Sequence, residues 1–183
     1  MSRAGSVPVV IRAAAAADLP AITELYAHHV LTGTASFEVA PPTVGEMRRR
    51  HRDVVSHGLP YFVASLSDNG ADIAGYAYAT VYRSRVAYRH TVEDSVYVAP
   101  GCVRRGAGRA LLAAVIAACE TLGYRQMVAV IGGSDNAASI SLHAALGFRH
   151  AGLLPAVGNK FDRWIDTVLM QRALGPGAST PAP

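Results

Sequence analysis

Cysteine is scarce in this chain. Cys102 and Cys119 are its two cysteines, and they form no CxxC pair. That excludes a disulfide framework and the usual zinc-ligand spacings. Cys119 reads as a packed helix residue and Cys102 as a loop residue. No apolar run approaches the ~20 residues that a membrane-spanning helix needs. The opening MSRAGSVPVVIRAAAAADLP is a poor signal peptide, because Arg12 and Asp18 interrupt an alanine-heavy stretch. A cytoplasmic protein without membrane attachment is expected. A large excess of one charge is lacking as well. A net +4 over 183 residues favours small anions slightly and is too diffuse to announce nucleic acid. The histidines are scattered, and the adjacent His28 and His29 fall inside a helical pattern, so no metal site is expected.

What is present is apolar. Hydrophobic residues make up 51% of the chain, enough for one sizeable core. A single domain is expected over 1–174, with GPGASTPAP at 175–183 as a disordered tail. VVIRAA reads as a strand. Asp18 then caps a helix whose apolar positions Leu19, Ile22, Leu25 and Tyr26 recur at helical spacing. TVGE at 43–46 has capping-box spacing and opens a polar helix toward His57. YFVASL and IAGYAYATVY read as strands joined by a DNG hairpin turn. TVEDSVYV is a further strand, followed by a helix that Gly123 stops near Leu122. MVAVI is a short buried strand. NAASISLHAAL is a helix closed by Gly147, and HAGLLPAV and DRWIDTVLMQR are two last strands. No internal repeat is visible. The order β-α-α-β-β-β-α-β-α-β-β predicts an α/β domain with a mixed sheet.

RRGAGR, residues 104–109, sets bare glycines between arginines just where a helix begins. The first N–H groups of a helix lack partners inside it and carry the positive end of its dipole. Glycines let a ligand approach them without meeting a Cβ. The pattern predicts an anion site on Gly106, Ala107 and Gly108, strengthened by Arg104, Arg105 and Arg109. Two phosphate loops are excluded. Gly101 and Gly106 have P-loop spacing, but Ala107-Gly108 stands where Lys-Ser/Thr is required. Gly106 and Gly108 begin a dinucleotide fingerprint, but Leu111 occupies the third glycine position.

In context, SVYVAPGCVRRGAGRALL resembles the coenzyme-A pyrophosphate motif of the GNAT acetyltransferase superfamily, with Val103 where a Gln or Arg is usual. NAASISLHAALGF resembles the superfamily's second coenzyme segment and brings in Asn136 and Ser139. Together with RSRVAYRHTVEDSVYV, VAVIG and NKFDRWIDTVLMQR, these stretches resemble the phosphinothricin and methionine sulfoximine/sulfone acetyltransferases from about Val10 to Leu174. The resemblance implies a GNAT-type α/β fold with a mixed, mostly antiparallel central sheet flanked by helices. It further implies acetyl-CoA as co-substrate without a metal, a small-molecule amine as acceptor, and a homodimer.

Acetyl transfer from a thioester to an amine needs a base for the ammonium, donors for the oxyanion and stabilisation of the departing thiolate. The resemblance makes Glu93 the base. Strand alternation puts Glu93 and Asp94 on opposite faces, so at most one of them faces the cleft, and Glu93 is taken as that one. His143 matches the position of the acid that acts toward the sulfur. The alternative for His143 is a packed helix histidine satisfied by a carbonyl. Val96, Tyr97 and Val98 are expected to offer backbone groups to the pantetheine arm and the thioester oxygen. Arg83, Arg85 and Tyr88 match the substrate-facing pattern, and guanidinium groups suit a carboxylate and other polar oxygens. Phe37 matches an aromatic wall of the side-chain pocket. The alternatives are a solvated loop for the arginines and plain core for Phe37. Two other functions stay open: a protein N-terminal acetyltransferase, and a non-catalytic acyl-CoA sensor on the same fold.

Overall fold

A computed structural model of the chain describes residues 8–67 and 72–181. Strand β1 (Val10–Ala13) leads through a 3-10 turn into α1 (Leu19–Thr32). The Asp18 carboxylate does not cap α1. It accepts the Ala15 N–H at 2.7 Å and pairs with the two terminal guanidinium nitrogens of Arg12 at 2.6 and 2.7 Å. Asp18 therefore fixes the entry turn that precedes the helix. Helix α2 (Val44–Ser56) begins as expected, with the Thr43 hydroxyl accepting the Glu46 N–H at 3.2 Å. The Glu46 carboxylate turns to Arg49 and Arg50.

Strands β2 (Tyr61–Ser65) and β3 (Ile73–Val81) pair antiparallel. The expected DNG turn between them lies outside the described residues. Strand β4 (Thr91–Val98), α3 (Ala107–Thr121), β5 (Gln126–Gly132) and α4 (Ala137–Ala145) follow, then β6 (Arg149–Lys160) and β7 (Arg163–Ala173). Gly123 and Gly147 follow α3 and α4 in the left-handed region, at φ of 83° and 85°. The last hairpin is longer than its sequence pattern. Phe161 and Asp162 both take positive φ, so Asp162 belongs to the turn, and β6 runs on to Lys160.

The sheet has the order β1-β2-β3-β4-β5-β7-β6 and is antiparallel except for β4 and β5. Tyr61, Tyr76 and Tyr78 stack on the α1/α2 face, Tyr97 stacks on Tyr76, and the Tyr26 ring of α1 meets Tyr97 edge-on. On the opposite face, Leu111, Leu112 and Val115 of α3 are fully buried over β2 to β4. No described helix is long and apolar enough to cross a membrane. Of the stretch 175–183, expected to trail as a disordered tail, the described part 175–181 meets the body at Arg125. That side chain donates to Gly177 O and Thr180 O, each at 2.8 Å.

Candidate active site

The parallel pair β4/β5 is short. Its register runs from Thr91↔Gln126 to Asp94↔Ala129 and goes no further. Beyond that point β4 stays with β3 and β5 stays with β7, so the two strands part. The wedge between them opens into a cleft of about 840 Å³. Ser95 to Val98 line one wall and Ala129 to Gly132 the other, with the start of α3 and one side of α4 closing the rim. The backbone of β4 loses its β5 partner here, so its polar groups on that side are open to a ligand. One of them is already engaged: His29 of α1 sets Nε2 2.9 Å from Val98 O. A carbonyl only accepts, so Nε2 carries the proton. Burial holds the His29 pKa down, and the hydrogen bond to Val98 opposes it.

RRGAGR forms a turn into a helix, as its composition predicts. Arg104 (φ 62°) and Gly106 (φ 91°) both lie in the left-handed region, so the chain turns sharply into α3. Gly106 is the N-cap. A Cβ on Gly108 would stand 3.2 Å from Val98 Cγ2 and 3.5 Å from Leu142 Cδ2, where α3, β4 and α4 converge. Arg104, Gly106, Gly108 and Arg109 line the cleft. Arg105 points to solvent outside it, and Ala107 is packed beneath the first turn. Asn136 caps α4 by accepting the Ser139 N–H at 3.2 Å, and its Nδ2 donates to Gly132 O at 3.4 Å, tying α4 to the end of β5. Asn136 and Ser139 both line the cleft.

The two neighbouring carboxylates do face opposite ways, but the one lining the parted strands is Asp94. Glu93 belongs to the α1/α2 face. It pairs across with Thr80, one same-face step from the Tyr78–Ser95 pair. Burial raises its carboxyl pKa, the charge of Arg83 pulls it down, and the charge of Asp94 raises it further. Asp94 lies 6% exposed on the α3/α4 side, with Oδ2 3.0 Å from His143 Nε2. His143 Nδ1 is 2.7 Å from Ser139 O, and the ring meets Phe148 edge-on. Both ring nitrogens are thus engaged. Burial presses the His143 pKa down, but the hydrogen bond and charge of Asp94 outweigh it, and the net shift is upward.

The remaining expected residues lie outside the cleft lining. The Phe37 ring lies against the Cα atoms of Gly132 and Gly158, where any Cβ would collide with it. It remains 41% exposed, so it is neither plain core nor free surface. Lys160 Nζ holds this loop by donating to Gly33 O at 2.8 Å and Ser36 O at 2.7 Å. In the β3–β4 connection, the Arg83 guanidinium sits 4.7 Å over the Tyr82 ring, and Tyr88 meets Tyr82 edge-on. Arg85 precedes the 3-10 turn Val86–Tyr88 and is exposed. Sequence reasoning passed over His29 and Lys160, and it took Glu93 rather than Asp94 as the carboxylate facing the cleft. His29 had a signal, since it falls one turn after Tyr26 on the inward face of α1. Lys160 had none, because its partners are backbone carbonyls far away in sequence.

Residues 11–169 match the family model described as acetyltransferase (GNAT) domain. The chain is 58% identical over 163 residues to a phosphinothricin N-acetyltransferase of Alcaligenes faecalis, covering 89% of this chain and 81% of that protein. It is 40% identical over 171 residues to an L-methionine sulfoximine/L-methionine sulfone acetyltransferase of Pseudomonas aeruginosa, covering 93% and 98%. A crystal structure of a GNAT superfamily phosphinothricin acetyltransferase from Sinorhizobium meliloti in complex with AcCoA superposes with a TM-score of 0.91. That pair shares 47% identity over 96% of this chain and 93% of that one.

Proposed function

The chain belongs to the acetyltransferase (GNAT) family and uses acetyl-CoA as co-substrate, and from that premise we propose that its acceptor is the amino group of a small amino acid of the phosphinothricin or methionine sulfone type. The observation that carries this reading is the parted β4/β5 pair, with a glycine-bare helix start at its mouth and Glu93 on its far face. The pyrophosphate lies against the N–H groups of Gly106 to Gly108, with Arg104 and Arg109 beside it. The pantetheine arm takes up the free backbone of Val96 to Val98 in place of the missing strand. Asn136 and Ser139 hold the α4 rim.

The amine arrives from the α1/α2 face. Glu93, raised in pKa by burial, takes one proton from the ammonium. The amine nitrogen then bonds to the thioester carbon, whose oxygen is met by backbone N–H groups of β4. The C–S bond breaks, its electron pair leaves with the sulfur, and the proton still in excess on the new amide nitrogen passes to the departing thiolate to give the free thiol. Arg83 and Arg85 read the acceptor's carboxylate and distal oxygens, Tyr88 lines their side, and Phe37 walls the side-chain end. The protein acts in the cytoplasm as a homodimer. The exposed apolar residues Leu153, Val157, Phe161 and Trp164 of the β6/β7 hairpin suit such an association, which size-exclusion chromatography with light scattering checks.

The reading is tested by acetyl-CoA consumption across an amine panel: phosphinothricin, methionine sulfone, methionine sulfoximine, free amino acids and short peptides. The three named amino acids are expected to lead the panel. Preferred turnover of peptides would move the assignment to protein N-terminal acetylation.

A further inference from the structure

The Asp94–His143 pair leaves one atom unaccounted for. His143 Nδ1 faces the carbonyl of Ser139 and therefore carries a proton. His143 Nε2 is hydrogen-bonded to Asp94 Oδ2 at 3.0 Å. Asp94 Oδ1 is buried and has no hydrogen-bond partner. The side chain is 1% exposed, and Asp94 lines the cleft at the register where β4 and β5 separate. A buried carboxylate oxygen without a donor is costly and is seldom left so. His143 cannot turn to serve it, because both its nitrogens are held and Phe148 packs on the ring.

We infer that Asp94 is a coenzyme-binding residue, with Oδ1 accepting a hydrogen bond from a donor at the mercaptoethylamine end of coenzyme A, and that His143 is its positioning residue. This rests on the acetyltransferase reading and assigns a further contact within that site. The fit follows from the cleft's shape. The phosphate subsite is at the start of α3, and the arm follows β4 from Val98 back to the point of separation at Asp94. Four residues of strand are about 13 Å, so the far end of the arm is the part that meets Asp94. That end carries two donors, the amide N–H next to the mercaptoethyl group and, once the acetyl group has gone, the thiol S–H.

The test compares three ligands by calorimetry: coenzyme A, an analogue with that amide replaced by an ester, and S-methyl coenzyme A. Each is titrated into the wild type and into the double variant Asp94→Leu with His143→Leu, an apolar pair that leaves no buried charge. Circular dichroism melting confirms that the variant is folded, and Asp94→Asn provides a second, milder change. The wild type should bind one of the two analogues more weakly than coenzyme A by roughly tenfold to a hundredfold, as for a hydrogen bond to a charged acceptor. The double variant should bind it as well as coenzyme A, and Asp94→Asn should lie between. Loss of discrimination against the ester analogue assigns the amide N–H, and loss against the S-methyl analogue assigns the thiol. Equal discrimination in wild type and double variant overturns the assignment while leaving the acetyltransferase reading intact. A wild type that binds none of the three overturns that reading itself.

Discussion

Glu93 and Asp94 are adjacent in sequence and do different things because a strand alternates. One carboxylate sits on the tyrosine face, and the other is hydrogen-bonded to a histidine on the opposite face of the sheet. The same residue-level reasoning applies to Arg85. If its guanidinium reads the acceptor's carboxylate, Arg85→Lys should lower kcat/KM for the amino acid despite the kept charge, because lysine lacks the two-pronged fork. The acetyl-CoA KM should stay near its original value, and steady-state kinetics on both substrates separates the two. A small equal change for both substrates would make Arg85 a surface charge. Arg12 and Asp18 give a stability counterpart. The hydrogen bond from Arg12 holds the Asp18 carboxyl below the ordinary carboxylate range, against the opposing effect of burial. A depressed carboxylate stabilises the fold above that range and ceases to do so as pH falls through its own value. Arg12→Ala should therefore destabilise by roughly 0.5–1 kcal/mol at neutral pH. The difference should close in acid, as followed by thermal melts across pH.

Helix α3 owes its function to how it begins. Gly106 supplies a left-handed turn, and Gly108 keeps a Cβ out of the space between Val98 and Leu142. Gly108→Leu should weaken acetyl-CoA binding by roughly tenfold or more, about 1.4 kcal/mol, as read by calorimetry. Unchanged affinity would place the phosphates elsewhere. Elements of this kind were legible in the sequence, because glycine, arginine and a following apolar run each report local backbone needs. The strand and helix order was legible for the same reason: period-2 and period-3.6 patterns register burial directly. What stayed hidden depends on pairing. The parting of β4 from β5 after Asp94 follows from which neighbour each strand keeps, and no local pattern encodes that. So the side of the sheet on which the cleft opens, and with it the place of Asp94 in the cleft lining, became visible only in three dimensions. Asp18 was misassigned for a smaller reason. An acidic residue before a helix is a common cap, but a better partner, Arg12, lies within reach.

At the scale of the whole molecule, the sheet acts as a partition. In the proposed mechanism the coenzyme enters on the α3/α4 side, the amine on the α1/α2 side, and the wedge between β4 and β5 is the passage. Binding that completes a split sheet should stabilise the fold as a unit. At acetyl-CoA concentrations a hundredfold above Kd, the gain is about 2.7 kcal/mol. That corresponds to a rise in Tm of roughly 5–11 °C for a domain of this size. NAD and ATP should raise Tm less, since the helix start has neither a dinucleotide fingerprint nor a P-loop lysine. A melting shift with NAD and none with acetyl-CoA would contradict the phosphate assignment.

In the proposed mechanism, transfer across the partition depends on a carboxylate placed on the amine side, Glu93, and the pH dependence of kcat/KM for the best acceptor in wild type and Glu93→Gln tests it most directly. Burial raises the Glu93 pKa, so the wild-type profile should show an acid limb above the ordinary carboxylate range, with activity rising as Glu93 loses its proton. Glu93→Gln should lose that limb and roughly 10²–10⁴-fold in kcat, with acetyl-CoA affinity little changed. A Glu93→Gln enzyme that keeps both the limb and near-normal turnover would contradict the account.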